Sequence, residues 1–96
     1  MIVKNGKVSD YDLRSFYENQ KIKYIFILEI DENYEFKVFL NQEDYSKFVG
    51  KILRGFDVNQ MLDIVEKQVS FEVDDFDNIT KLILLNNIEL EINSTN

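Results

Sequence analysis

The stretch KIKYIFILEIDENYEFKVFL, Lys21 to Leu40, constrains the fold more than any other part of the chain, because one pairing register satisfies its whole alternation. With Asp31-Glu32-Asn33 as a three-residue loop, and Asn33 in the left-handed conformation that Asn tolerates, Ile30 faces Tyr34 and Leu28 faces Phe36. Phe26 then faces Val38 and Tyr24 faces Leu40, which makes one side of an antiparallel hairpin wholly apolar and assigns it to a core. The other side pairs Ile27 with Lys37 and Ile25 with Phe39, and it sets Glu29 against Glu35. Like charges opposed across a ladder cost stability, so that pair points away from folding and toward something outside the chain.

The segments around the hairpin supply what covers its apolar side. In KNGK, Asn5-Gly6 suits a tight reversal between Ile2-Val3 and Val8. Ser9 stands three residues before Asp12, and Leu13, Phe16 and Tyr17 follow at helical spacing, which predicts a first helix to about Asn19. Asn41 with Asp44 opens a second helix, on which Tyr45, Phe48, Val49, Ile52 and Leu53 form one stripe and Gly55 stands at the C′ position. Asp57 with Gln60 starts a third, carrying Val58, Met61, Leu62 and Val65 to about Lys67. Period two returns at Val69, Phe71 and Val73, an acidic turn follows, and ITKLILL is joined to IELEI by Asn86-Asn87 as a two-residue loop. That register places Leu85 against Ile88 and Ile83 against Leu90 on a core side. Leu82 and Leu84 then stand beside Glu89 and Glu91, a candidate contact surface ringed by charge.

The order β-α-β-β-α-α-β-β-β describes an α+β domain, an antiparallel sheet of five to six strands in hairpins with three short helices mainly on one face. No Pro, linker or repeat interrupts the pattern, so residues 1–92 read as a single domain and 93–96 as a polar tail. A hydrophobic fraction of 45% over 96 residues is enough to bury a core. No basic segment leads into an apolar stretch of signal-peptide type, and no run nears the ~20 apolar residues that cross a bilayer. A soluble cytoplasmic protein is expected.

With neither Cys nor His, the chain lacks thiolate nucleophiles, zinc thiolates and the commonest general base. A calcium loop starting at Asp75 would need Ile79 and Thr80 at its fifth and sixth positions, and one starting at Asp31 would need Phe36 at the sixth and Gln42 at the twelfth, so both fail. No Gly-rich loop cradles a phosphate. These absences give the expectation of a protein that is not an enzyme and takes no metal and no cofactor.

Charge supplies the functional reading. The net charge is −7, with +2 on residues 1–28, −4 on 29–71 and −5 on 72–96. Such a field repels nucleic acid and anionic membrane and attracts basic surfaces. Two clusters carry it: Glu29, Asp31, Glu32 and Glu35 at one hairpin tip, and Glu72, Asp74, Asp75, Asp77, Glu89 and Glu91 toward the C-terminus. Each carboxylate singly is an ordinary solvated side chain, whereas their concentration on a rigid frame imitates the spacing of backbone phosphates.

The expectation is therefore a small acidic binding protein. These residues, with Leu82 and Leu84, would contact a protein with a basic surface, such as a nuclease or other nucleic-acid-handling effector, and inhibit it. Anti-defence inhibitors of phages and mobile elements, anti-CRISPR proteins among them, and immunity proteins belong to that class. The Ala-free, Ile-, Asn- and Lys-rich wording is what AT-rich bacterial and phage genomes produce. The opening, a strand with an Asn-Gly turn leading into a helix, is similar to that of the barstar-type acidic nuclease inhibitors over less than a fifth of the chain, and no residue is carried over from it. The competing expectation is a homodimer or assembly subunit that self-associates through Leu82 and Leu84 or the edge IELEI, with its acid serving solubility alone.

Overall fold

In the computed structural model, which describes residues 2–91, six antiparallel strands and one α-helix account for the regular structure. They are β1 (Ile2–Glu18), β2 (Lys21–Ile30), β3 (Tyr34–Asn41), α1 (Gln42–Phe56), β4 (Gln68–Val73), β5 (Ile79–Ile83) and β6 (Glu89–Glu91). The sheet runs β3-β2-β1-β4-β5-β6. The α+β class and the six strands agree with the sequence reading, while the expected three helices reduce to one helix and two short 3-10 turns. The tail at 93–96 lies outside the described residues.

β2 and β3 pair in the register that their alternation dictates, from Ile30 against Tyr34 to Tyr24 against Leu40. Phe26, Leu28, Ile30 and Phe36 are fully buried. Only the turn differs. Positive φ falls on Asp31 and Glu32 instead of Asn33, because two successive left-handed residues match the twist of the flanking strands. Asn33 closes the turn by donating its N–H to the Ile30 carbonyl at 3.2 Å.

The largest correction concerns the N-terminal segment, which is one long strand where a turn and a helix were expected. β1 pairs with β4 from Ile2 against Val73 to Lys7 against Gln68, and with β2 from Val8 against Ile30 to Glu18 against Lys21. A bulge between Val8 and Asp10 marks where it changes neighbours. Tyr11 and Leu13 pack on the core while Arg14 and Phe16 face outward, so the helical spacing of Leu13, Phe16 and Tyr17 coincides with a strand that is only half covered. Gly6 makes no turn. A Cβ there would sit 2.6 Å from Ile30 Cγ2, so the glycine lets β1 pass close under the β2–β3 tip. The reversal lies at Asn19-Gln20, both left-handed. The likeness of the opening to barstar-type inhibitors is lost with the helix.

α1 forms as expected up to its end. Asn41 Oδ1 accepts the Asp44 N–H at 2.8 Å, capping the first turn. Phe48, Ile52 and Phe56 are buried, Phe48 edge-on to Phe26 at 5.2 Å, and Tyr45 stacks on Tyr24 at 4.0 Å. Gly55 lies inside the helix against Leu84, and the left-handed C-terminal residue is Asp57. The expected third helix is a single 3-10 turn, Met61–Ile64, that buries Ile64 and leaves Leu62 outside. The chain beyond it cannot stay helical, because Glu66 N–H and Lys67 C=O are bonded to Val8 at 2.8 and 2.9 Å. Among the described residues no helix is long and apolar enough to cross a membrane.

The last hairpin is displaced by one residue from the expected pairing. Leu82 stands against Leu90 and Ile83 against Glu89, since the loop holds a 3-10 turn at Leu85–Asn87 and closes through Leu84 N–H to Ile88 C=O at 2.8 Å. A one-residue shift exchanges the two sides of a strand. Leu82 is consequently fully buried and Leu84 nearly so, and the contact surface assigned to them does not exist.

Candidate functional site

Tyr34, immediately after the β2–β3 turn, is the residue that links the first acidic cluster to part of the second. Its ring lies 5.0 Å from that of Phe71, and its hydroxyl donates to Asp77 Oδ1 at 3.4 Å. The turn between β4 and β5, Asp74 to Asn78, is thereby held near the β2–β3 turn that carries Asp31 and Glu32. Lys4 Nζ sits 5.8 Å from the Tyr34 ring centre and 3.9 Å from Asp77. The Tyr34 hydroxyl, with Asp77 behind it, keeps the Lys4 ammonium above the usual lysine range.

Backbone donors fix both turns. Asp74 Oδ1 accepts the N–H groups of Phe76 and Asn78, each at 2.9 Å, and its carboxyl is held below the usual carboxylate range, by Asn78 foremost. Asp77 is left-handed and returns its N–H to the Asp74 carbonyl at 3.0 Å. Asp74 is therefore committed to the turn, while Asp75 and Phe76 project from it, Phe76 with 84% of its surface exposed. Sequence reasoning passed over Phe76. The signal was an aromatic inside DDFDN, at a place where no strand could bury it.

The first cluster is pinned in the same manner. Asp31 Oδ1 accepts the Lys7 N–H at 3.0 Å, Ser9 Oγ accepts the Glu32 N–H at 3.0 Å, and the Ser9 hydroxyl donates to Glu29 at 2.9 Å. Glu29 and Glu35 stand opposite each other as expected, and Lys37 lies 3.7 Å from Glu35. Glu66, also unforeseen, joins Asp31 and Glu32 around a shallow depression with Lys7, whose ammonium it meets at 3.7 Å.

The C-terminal cluster divides. Asp75 and Asp77 belong to the acidic end, whereas Glu72, Glu89 and Glu91 lie on the outer side of β4, β5 and β6. There Lys81 bridges Glu72 at 3.1 Å and Glu89 at 3.3 Å, and those two carboxylates, Glu72 first, raise its ammonium above the usual range. Glu72 and Glu89 thus share one counter-charge within the fold, which leaves a net single negative charge on the trio. Among the described residues no three acidic side chains are grouped to hold a metal ion. Comparison of the chain with protein-family models, with curated proteins and with solved structures finds no match.

Proposed function

We propose that the chain is a non-catalytic cytoplasmic binding protein that inserts its acidic end into a basic surface of a nucleic-acid-handling protein and blocks it. Its place is among inhibitors of the anti-defence or immunity kind. One observation carries this reading: two carboxylate-bearing turns from different hairpins are held at one end by backbone donors and by Tyr34. Turns fixed before contact lose little backbone freedom on binding, which favours affinity as well as steering. Asp31, Glu32, Asp75 and Asp77 form the charged part, with Glu29 and Glu35 beside them. Phe76 takes the anchoring role first assigned to Leu82 and Leu84, an exposed aromatic ringed by acid. The lysines at Asp77 and Glu35 are solvent-exposed ion pairs of little strength, which a basic partner can displace.

The test separates shape from net charge. A partner captured from host lysate at low salt should be released by added duplex DNA. Reversing Asp31, Glu32, Asp75 and Asp77 to Lys should abolish capture. An equal number of reversals at Glu43, Asp57, Asp63 and Glu91 should leave most of it. Equal loss from the two sets would reduce the reading to bulk charge.

A further inference from the structure

Past Ser9, β1 loses one of its two neighbours. β4 accompanies it from Ile2 to Lys7 only, whereas β2 follows it to Glu18, so from Asp10 onward one edge of β1 carries no strand. The two-residue turn at Asn19-Gln20 makes Glu18 and Lys21 a hydrogen-bonded pair. Alternation then aims the backbone groups of Asp10, Asp12, Arg14 and Phe16 at β2, and those of Tyr11, Leu13, Ser15 and Tyr17 outward. Among the described residues these outward groups have one partner in the chain, the Asp10 carboxylate, which takes the Tyr11 N–H at 2.8 Å. Native proteins shorten, bulge or interrupt such edges. This one is regular from Asp10 to Glu18, contains no Pro, and bears Tyr11, Leu13 and the exposed Tyr17 along one side.

We propose that this edge pairs antiparallel with the same edge of a second copy of the chain, about a two-fold axis at Leu13, joining two β3-β2-β1 ladders into one continuous sheet. Charge and length select the register. An axis at Tyr11 sets Asp10 against Asp12, one at Asp12 or Arg14 sets each of those residues against itself, and one at Ser15 sets Asp12 against Glu18. An axis at Phe16 or Tyr17 runs the strand into its own turn. At Leu13, Asp12 faces Arg14 of the second copy and Arg14 faces its Asp12, with Tyr11 opposite Ser15 and Ser9 opposite Tyr17. Arg14 already hydrogen-bonds Asp12 within the chain, so the four side chains close a ring of alternating sign. The acidic turns lie beyond Ile30, outside the overlap, and the proposal does not depend on what they bind.

Sedimentation velocity of the full chain over rising concentration provides the test, and a reversible dimer is expected. Ser15→Pro removes an outward N–H without touching the β2 ladder, and it should yield a monomer with unchanged circular dichroism. Arg14→Glu gathers four acids at the axis and should weaken dimerisation by about tenfold or more. Asp12→Arg combined with Arg14→Asp restores the alternating ring and should restore the dimer. These charge variants carry the test should Ser15→Pro fail to fold. A wild-type chain that stays monomeric at every concentration overturns the proposal. So does a dimer indifferent to Arg14→Glu, which would place the contact on another edge such as β6.

Discussion

Left-handed backbone in this molecule is assigned to residues with side chains, while Gly6 and Gly55 serve close approach. Asn19, Gln20, Asp31, Glu32, Asp57, Glu66, Asp77, Asn86 and Asn87 hold positive φ, and no described glycine does. Asn and Asp tolerate that region through local hydrogen bonds, but Gln20 has no such help. Gln20→Gly should stabilise the fold by about 1 kcal/mol, read as a rise of roughly 4–8 °C in melting temperature for a domain of this size. Gly55 answers in the opposite direction. Alanine would improve helix propensity by ~1 kcal/mol, yet its Cβ would fall 2.5 Å from Leu84 Cδ1, and overpacking of that kind costs about 1–3 kcal/mol. Denaturant melts of Gly55→Ala should therefore show net destabilisation. For Asp74 the sign follows from its depressed folded-state pKa. Its stabilisation is present above the unfolded carboxylate range and disappears as pH falls through the folded value. Asp74→Asn should melt below the wild type at neutral pH, and the gap should close as the solution is acidified.

Legibility of the elements followed how completely each was buried. The β2–β3 hairpin could be read to the residue because its inner side is apolar at every position and its one break is polar. α1 was legible for the same reason at period 3.6, together with its Asn41 cap. β1 was not, since an open edge and a solvated outer side leave it without period-two alternation, and Leu13, Phe16 and Tyr17 are then free to mimic a helix. The last hairpin was lost through its loop, where Asn86-Asn87 is a sound turn signal although the closure spans Leu84 to Ile88. That single displacement moved Leu82 and Leu84 from the surface to the core. The acidic end was legible as composition but not as geometry, because the link from Tyr34 to Asp77 joins segments distant in sequence. At this scale Glu35→Gln separates stability from binding. Relief of the opposed glutamates should raise stability by about 0.2–1 kcal/mol, against a small loss from the exposed Lys37 pair. The same change should weaken capture of a basic partner. A variant that loses stability instead would mean that Ser9 and Lys37 already relieve the repulsion in full.

For the molecule as a whole, Phe71 is the residue through which the parts communicate. It is fully buried on β4, it meets Tyr34 of β3, and it lies beside Lys4 and Leu82 on the neighbouring strands. Phe71→Ala should cost about 3–5 kcal/mol, a large share of the 5–15 kcal/mol that holds a typical domain together. Near-ultraviolet and far-ultraviolet melts of that variant should still coincide, because β1 belongs to both halves of the sheet and neither half can open alone. The same shared strand sets a timetable for synthesis on the ribosome. The second half of β1 finds β2 across a two-residue turn within microseconds, whereas its first half has no ladder partner until residues 68–73 have left the exit tunnel. Residues 2–7 emerge before residues 68–73 and are thus among the last to be zipped in, and a nascent chain stalled before residue 68 would carry that ribbon unsealed, exposed to whatever waits outside.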